Sequence, residues 1–332
     1  MITVAWTLAF TSVAASIFTI LMFPDRAWPL SVWTGVSSGL LIGAPVVLWI
    51  FVGLETGLGR RLKRLPLLVY LATNGLVTGT LLLAGHLAAY YLIWPTQRDF
   101  LDDSTLLPSL IFAVAIVMTV SAAIELRRLI GPGVFGAVLV GRYRYPRAER
   151  RVFLLLDIVG STGLAERLGP ERFLAFLDRW IHQLTEPLLA SGGLIYRYIG
   201  DEMILTWVWT PDAASRALAF AADAAAAVAR DAEIWHRDFG AAPEMRAALH
   251  AGPVIAGEIG DLKREITFLG DTLNTAARIA GEARKHDGLV LASAEALDGA
   301  RLPDGWTRRD LGPVALRGKA EPLALAAIGH AD

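Results

Sequence analysis

The sequence predicts an α-helical membrane bundle followed by an α+β domain whose central sheet is mostly antiparallel. The first observation is compositional: the mean hydropathy of the 332 residues is +0.47, although 19% of them are charged. This combination is typical of long charge-free segments beside an ordinary globular domain. The second is the order of patterns after residue 150, which runs strand, helices, hairpin, helix and further strands and indicates a ferredoxin-like α+β core.

Four long segments near the start of the chain contain no Asp, Glu, Lys or Arg. They cover residues 1–24, 27–54, 65–97 and 104–124, and each reaches the roughly 20 residues that cross a bilayer. The first lacks a basic n-region and a clear small-x-small cleavage site, so we interpret it as a retained span rather than a signal peptide. We therefore predict a four-helix transmembrane domain over residues 1–125, with the lipid bilayer as a partner.

Basic residues are concentrated in the loops on one side of these segments. The connections after the first and third segments hold only two Arg and four Asp between them. Positive-inside counting predicts a multi-pass protein of the inner or plasma membrane, with a cytoplasmic N-terminus and a cytoplasmic C-terminal domain. The basic residues are Arg60, Arg61, Lys63 and Arg64 after the second segment, and Arg127, Arg128, Arg142, Arg144, Arg147, Arg150 and Arg151 after the fourth.

The composition also excludes several functions. The chain has no Cys, which excludes disulfides, Cys-ligated zinc and thiol catalysis. Its formal net charge of −1 gives no reason to expect nucleic acid as a partner, because topology or anionic lipid explains the juxtamembrane Arg cluster.

His86 is the one histidine within the predicted spans. An intramembrane His could ligate haem or sense a small ligand. Because no second His accompanies it, we favour a packed, hydrogen-bonded side chain over a ligand site. Residues 126–150 then mix helix breakers, an apolar run and an Arg-rich stretch, and they predict a short cytoplasmic segment that couples the bundle to the domain at 151–332.

The domain at 151–332 is long enough to form one compact core. Its periodicity and turn signals predict alternating strands and helices. The predicted strands are 151–157, 194–199, 203–209, 244–251, 253–259 and 264–269, the fourth and fifth joined around 251–253; the predicted helices are 161–168, 171–190, 212–237 and 271–285, and short strands with one small helix follow residue 288.

An apolar run ends at Asp157 and is followed by the turn Gly160-Ser161-Thr162. A strand that delivers a carboxylate beside free backbone N–H groups can hold a hard cation and cradle phosphate. The alternative is that Asp157 merely caps the next helix. Asp201 lies in a predicted hairpin turn that can neighbour Asp157 if their strands pair. Two such carboxylates, a backbone carbonyl and substrate phosphates would form a site for Mg²⁺, and two ions could share it.

A third group of polar residues follows in the predicted helix at 271–285. Asn274 and Arg278 are four residues apart and therefore project from one face. An Asn can orient a sugar, and an Arg can stabilise charge that builds up on a phosphoryl group. The alternative is a helix that packs through its alanines and leaves Arg278 in solvent.

Four ordered motifs together resemble the catalytic domain of class III adenylate and guanylate cyclases. They are Phe-x-x-x-Asp-Ile-x-Gly-Ser-Thr at 153–162, Tyr-Ile-Gly-Asp-Glu at 198–202, His-Ala-Gly-Pro-Val-x-Ala-Gly-x-Ile-Gly at 250–260, and Gly-Asp-Thr-Leu-Asn-Thr-Ala-Ala-Arg at 270–278. The resemblance covers most of residues 150 to 325 and does not extend to the four hydrophobic segments.

The resemblance implies a role for each matching residue. Asp157 and Asp201 match the family's metal-binding aspartates, with the backbone carbonyl of Ile158 as a further ligand for two Mg²⁺ or Mn²⁺ ions per site. Asn274 and Arg278 match the pair that orients the ribose and stabilises the transition state. Lys319 looks like the family's phosphate-binding lysine.

Two further positions match those that select the base. Thr267 lies where many adenylate cyclases have Asp and another subgroup has Thr, and Arg197 lies where they usually have Lys. Adenine N1 is an acceptor that Arg can serve, whereas guanine N1 carries a hydrogen. Thr267 can accept from the adenine amino group, so ATP is favoured. Arg197 could also donate to guanine O6, and its longer, planar side chain does not simply replace Lys.

The resemblance implies a homodimer with two composite sites, because in this family the metal aspartates and the remaining site residues come from different subunits. The predicted reaction converts ATP to 3′,5′-cyclic AMP and pyrophosphate, under regulation by the membrane domain. Guanylate cyclase activity and a catalytically silent membrane receptor with the cyclase fold are the alternatives. A four-span transporter with a regulatory domain stays open, whereas a diguanylate cyclase is disfavoured because only Gly200-Asp201-Glu202 of its signature is present.

Overall fold

The computed structural model describes residues 27–62, 65–93, 141–262 and 264–330, with scattered residues between 8 and 20 and between 111 and 137. The chain divides into two compact units, Met1–Ile130 and Gly131–Asp332.

In the first unit, the second and third predicted spans are helical. The described elements are α1 (Trp28–Phe51), a 3-10 turn (Gly53–Glu55), α2 (Gly57–Leu62) and α3 (Leu67–Ile93). Asn74 of α3 is buried and accepts a hydrogen bond from Trp49 Nε1 of α1 at 2.9 Å. It also donates to Ser121 Oγ at 2.9 Å, and therefore joins segments that are far apart in sequence.

Two of the described helices are long and apolar enough to cross a membrane. The qualifying stretches are Trp28–Phe51 and Leu67–Ala89, of 24 and 23 residues. The core helix of a soluble protein can have the same length and composition, yet only 29% and 28% of the most apolar stretch of these two helices is buried. The first and fourth predicted spans lie largely outside the described residues.

The second unit is built on an eight-stranded mixed sheet. The strand order is β2-β3-β1-β4-β6-β8-β7, with β5 paired to β4, and among the strand pairs that the structure describes only β4–β6 is parallel. The first four strands have the order of a ferredoxin-like core, as predicted. The elements are β1 (Arg147–Ile158), α4 (Ser161–Leu168), α5 (Pro170–Ala190), β2 (Leu194–Ile199), β3 (Glu202–Val208), α6 (Ala213–Arg230), α7 (Ala232–Phe239), β4 (Met245–Ile259), β5 (Glu265–Leu269), α8 (Asp271–Ala283), β6 (Val290–Ser293), α9 (Ala294–Leu297), β7 (Trp306–Val314) and β8 (Leu323–His330).

The side chains of β1 alternate between two hydrophobic cores because successive strand residues face opposite sides of a sheet. Leu154 and Leu156 pack in the core that includes buried residues of α4 to α7. Phe153 and Leu155 pack in the core that includes the buried side of α8. Asp157 has the same parity as Phe153 and Leu155, so the sheet aims its carboxylate toward the α8 side.

Residues 245–259 form one continuous strand, β4, and the prediction of two strands joined at 251–253 is wrong. The Gly-Pro pair suggested a turn. However, the amide of Ala247 faces β6, where it donates to Leu289 O, and alternate strand amides point the same way. On this side of β4, pairing with β6 ends at Leu249 and pairing with β5 begins at Ile255. The nitrogen of Pro253 therefore faces the unpaired gap between these two partners. No donor is needed in that gap, so the strand continues through the proline.

The predicted helix at 212–237 is also interrupted, between α6 and α7 at Asp231. Gln183 of α5 donates to Ala227 O at 2.7 Å and to Asp231 Oδ2 at 3.0 Å. In a continuous helix the Asp231 amide would donate to Ala227 O. Because Gln183 already donates to that oxygen, the Asp231 amide donates to Val228 O instead. A long-range contact therefore ends the helix.

Candidate active site

The two predicted metal-binding aspartates are brought together by the pairing of β1 with β3. These strands are antiparallel, with Leu156 opposite Met203, so the end of β1 lies beside the start of β3. Asp157 is next along β1, and Asp201 occupies the turn between β2 and β3. The expected juxtaposition of the two carboxylates is present in the fold.

The electrostatics of this pair favour a cation. Burial raises the pKa of Asp157, and a hydrogen bond and the negative charge of Asp201 raise it further. Burial likewise raises the pKa of Glu202, with added contributions from both aspartates. Arg284 Nη2 lies 3.6 Å from Asp157 Oδ2 and partly offsets this negative charge. A bound divalent cation would neutralise the cluster more completely.

The turn after Asp157 leaves the N-terminus of α4 open. Gly160 adopts φ 67° and ψ 21°, a left-handed conformation that suits glycine, and no side chain caps the helix that begins at Ser161. The alternative in which Asp157 caps this helix is therefore wrong. The uncapped first turn, which includes Ser161 and Thr162, follows Asp157 closely in sequence and can receive a phosphate.

The residues at this end of β1 fit a divalent metal. In the part of the chain that the structure describes, no group of three or more His, Asp and Glu side chains is arranged to hold a metal ion. Asp157 and Asp201 would therefore need a backbone carbonyl, such as that of Ile158, together with water and substrate oxygens. This shared coordination is the kind that Mg²⁺ usually has.

A second cluster forms around the start of α8. Asn274 is exposed, and Arg278 Nη1 lies 3.6 Å from Asp271 Oδ1. Lys319, which follows β7, donates to Asp271 Oδ2, and Thr275 donates to the same oxygen at 3.2 Å. Asp271 was assigned no role from the sequence. It holds Arg278 and Lys319 together. The hydrogen bond from Lys319 lowers the pKa of Asp271, and the charge of Lys319, the hydrogen bond from Thr275 and the charge of Arg278 lower it further, while burial opposes the shift.

A third cluster joins β2 to β5. Arg197 Nη2 donates to Glu265 Oε2 at 2.7 Å, and Tyr196 Oη lies 3.4 Å from Thr267 Oγ1. The β2–β3 ladder shifts register between Ile195 and Arg197. This bulge lets the neighbouring Tyr196 and Arg197 both reach β5, which an unbroken strand would not do.

The fold therefore groups the predicted residues into three clusters. Asp157, Asp201 and the turn at 160–162 lie at the end of β1; Asn274, Arg278 and Lys319 lie around α8; Arg197 and Thr267 lie at the β2–β5 contact. The sequence reasoning missed Glu202, Asp271 and Arg284, whose only sequence signal is that they stand in or near the motifs, and Glu265, whose partner is distant in sequence.

Comparison with known proteins identifies the family. Residues 145–325 match the family model described as adenylate and guanylate cyclase catalytic domain. Adenylate cyclase 2 of Rhizobium meliloti is 35% identical over 312 residues, which cover 89% of this chain and 85% of that protein. Adenylate cyclase 1 of the same organism is 28% identical over 202 residues, 59% of this chain and 30% of its own length.

The fold agrees with this assignment. A bacterial light-regulated adenylyl cyclase superposes with a TM-score of 0.56 at 20% identity, covering 68% of this chain and 66% of its own. The similarity to Rhizobium adenylate cyclase 2 includes part of the N-terminal unit, because 89% coverage exceeds the cyclase domain alone. The chain therefore belongs to the adenylate and guanylate cyclase family, the class III nucleotide cyclases.

Proposed function

We propose that this protein is a membrane-bound adenylate cyclase that converts ATP to 3′,5′-cyclic AMP and pyrophosphate. The observation that carries the proposal is the pair Asp157 and Asp201 beside the uncapped start of α4. Its 35% identical relative is named an adenylate cyclase, which supports the same activity here. The bond that forms joins the ribose 3′-oxygen to the α-phosphorus, the bond to the β-phosphate bridging oxygen breaks, and the hydroxyl proton passes to solvent.

Asp157, Asp201 and the carbonyl of Ile158 would hold two Mg²⁺ or Mn²⁺ ions. When bound, such ions supply charge neutralisation on the phosphates and a lower pKa for the attacking hydroxyl. The chain's own contribution at this end is to fix two carboxylates at a strand end. The backbone amides of the turn at 160–162 add donors for phosphate oxygens.

The α8 cluster supplies the positive charge. Asn274 is exposed and orients the ribose, while Arg278 stabilises charge on the α-phosphate. Lys319 binds the outgoing phosphates. Asp271 holds both cationic side chains at the start of α8, which limits their reorganisation during the reaction.

Arg197 and Thr267 select the base. A guanidinium N–H matches the acceptor N1 of adenine, and the Thr267 hydroxyl can accept from the adenine amino group. Tyr196 lies against Thr267 and restricts that hydroxyl. The same Arg197 can donate to guanine O6, which keeps guanylate cyclase activity as the second candidate.

The active form is a homodimer in which each site draws on two chains. Among the described contacts, Asp157 interacts with Asp201, Glu202 and Arg284, and not with the α8 or β2–β5 clusters. Large apolar side chains of β2, β4, β5 and the β4–β5 turn are exposed around these clusters, which supports burial against a second copy. They are Tyr198, Ile199, Ile255, Ile259, Leu262 and Leu269.

The N-terminal unit anchors the enzyme in the inner or plasma membrane and regulates it. The exposed apolar side chains of α1 and α3, such as Trp33 and Leu68, support lipid contact. The lengths of the charge-free segments support four spans, and the distribution of Arg and Lys supports a cytoplasmic catalytic unit. His86 Nδ1 lies 3.1 Å from Leu82 O, which supports a packing histidine rather than a ligand site.

The segment before β1 is held firmly enough to transmit motion to the sheet. Tyr143 is 5% exposed, and its backbone oxygen accepts from the Glu258 amide of β4. Arg151 donates to Tyr143 Oη at 2.6 Å and to Glu149 Oε1 at 2.7 Å. A movement of this segment would therefore displace β1 and β4 together. Equal activity and equal dimer strength for the full chain and for residues 131–332 would contradict this coupling.

The proposal is tested by product analysis on the full-length protein in lipid. The protein is incubated with ATP or GTP and with Mn²⁺ or Mg²⁺, and cyclic AMP and cyclic GMP are quantified, with Asp157→Ala as the blank. We expect cyclic AMP from the wild type and a loss of at least about 10³-fold in the variant. Cyclic GMP as the main product would favour the guanylate cyclase, and no product from either nucleotide would favour a silent receptor.

A further inference from the structure

We propose that Glu265 is a positioning residue that fixes the Arg197 guanidinium for base recognition and thereby sets the preference for ATP over GTP. This inference rests on the proposed function. It concerns how the β2–β5 cluster reads the base, and it assigns a role to a carboxylate outside the four sequence motifs.

The geometry places Glu265 beside the base-reading pair. Its Oε2 accepts a hydrogen bond of 2.7 Å from Arg197 Nη2, across 68 residues of sequence. Glu265 and Thr267 are two residues apart on β5, so their side chains share a face of the strand. The bulge in β2 brings Arg197 to that face, and Tyr196 contacts Thr267 there. Glu265, Arg197 and Thr267 therefore form one recognition group.

A guanidinium fixed by an ion pair recognises a base differently from one that is free to rotate. Arg carries five N–H donors in a rigid plane, and a carboxylate on one Nη fixes the orientation of that plane. The donors that remain would meet adenine N1 as an acceptor, whereas guanine N1 presents a hydrogen that conflicts with them. If Arg197 were free to rotate, its donors could move toward guanine O6. Glu265 thus restricts Arg197 to the adenine arrangement.

The side chains of both partners are partly exposed, 45% for Arg197 and 37% for Glu265. Exposure is required, because the guanidinium must remain accessible to a nucleotide. It also limits the strength of the pair, since exposed ion pairs are weak and screened by salt. We therefore expect a measurable but moderate effect on substrate recognition rather than loss of the fold.

The experiment compares Glu265→Gln, Arg197→Ala and the double variant in the full-length protein. Glu233→Gln is the matched control, because Glu233 is an exposed carboxylate on α7, outside all three clusters. Values of kcat and KM are measured for ATP and GTP. In parallel, 3′-deoxy-ATP and 3′-deoxy-GTP, which lack the attacking hydroxyl, report binding in the presence of Mn²⁺ without turnover.

Glu265→Gln should raise KM for ATP and weaken binding of 3′-deoxy-ATP by about two- to fivefold, the range of a partly exposed ion pair, with kcat little changed. The ratio of kcat/KM for ATP to that for GTP should fall. The double variant should match Arg197→Ala, because Glu265 acts through Arg197. Glu233→Gln should behave as wild type.

Independent, multiplicative effects of the two substitutions would overturn the inference, as would wild-type selectivity in Glu265→Gln. Loss of GTP use alone would mean that Glu265 contacts guanine directly, which also overturns it. If the wild type binds both 3′-deoxynucleotides but forms no product, the proposed function fails, and the binding ratios still decide the role of Glu265. Failure to bind either nucleotide would overturn both proposals.

Discussion

At the scale of single residues, His250 shows how burial couples this fold to pH. The side chain is 6% exposed, and its Nδ1 lies 2.7 Å from Ser293 Oγ. Burial, together with the positive charges of Lys319 and Arg150 and against the opposing charge of Asp271, lowers its pKa from 6.5 to about 4. The histidine is therefore neutral in the folded domain at neutral pH.

This shift predicts acid sensitivity of a definite sign. The unfolded chain binds a proton near pH 6.5, whereas the folded domain binds it near pH 4. The stabilisation is therefore complete above pH 6.5 and is lost as the pH falls toward 4, up to about 3 kcal/mol. Urea unfolding of residues 131–332 at about pH 7 and pH 5 should show about 2 kcal/mol of this loss in the wild type and much less in His250→Asn, which does not titrate. An equal loss in both proteins would contradict the assignment.

At the scale of elements, the position of α8 depends on the close approach of β4. A Cβ added at Gly252 would lie 2.6 Å from Thr272 Oγ1, and Thr272 itself donates to Pro253 O at 2.6 Å. Helix α8 therefore packs directly against Gly252, where any side chain would prevent this approach. Because α8 carries Asn274 and Arg278, this packing sets the position of two proposed site residues.

Gly252→Ala should shift α8, destabilise the domain by about 1–3 kcal/mol and reduce kcat more than that loss of folded protein explains. Gly257→Ala is the matched control on the same strand, since its added Cβ would meet Pro146 Cα at an ordinary 3.5 Å. Thermal unfolding and product formation are measured for both. Combining Gly252→Ala with Thr272→Ala should recover part of the lost stability and activity. Equal stability and activity of Gly252→Ala and Gly257→Ala would contradict this role of Gly252.

At the scale of the whole molecule, the proposed composite site predicts that two chains are needed to form one active site. Asp157→Ala removes the metal half and Arg278→Ala removes the phosphate half of each composite site. A dimer of one chain of each kind keeps one intact site. Each variant alone should therefore be inactive, while co-expression should restore about a quarter of the wild-type activity, from statistical pairing in a two-fold dimer.

Cyclic AMP formation by the unselected mixture of co-expressed chains provides the measurement, and recovery of two different affinity tags in one complex shows that mixed dimers have formed. A mixture of Asp157→Ala with Asp201→Ala is the control, because both substitutions damage the same half-site and should not complement. Activity in that control, or none in the test pair after both tags are recovered together, would contradict the composite site.

The sequence alone determined what depends on local order. Charge-free length predicted apolar spans at 27–54 and 65–97, where the structure has the helices Trp28–Phe51 and Leu67–Ile93. Strand-then-turn patterns placed Asp157 and Asp201 at the tips of strands that pair. These predictions succeeded because hydrophobic length and period-2 alternation are properties of neighbouring residues. The motif spacing likewise identified the cyclase family, which the comparisons confirm.

Only the tertiary structure decided what depends on partners far along the chain. Pro253 stays in a strand because its neighbours in the sheet leave a gap, and Gln183 ends α6 from another helix. Arg197 meets Glu265 across 68 residues, and Lys319 meets Asp271 across 48. Packing between elements decides which charged side chains pair and at which strand position a backbone N–H can be missing. The order of residues within one element does not encode that packing.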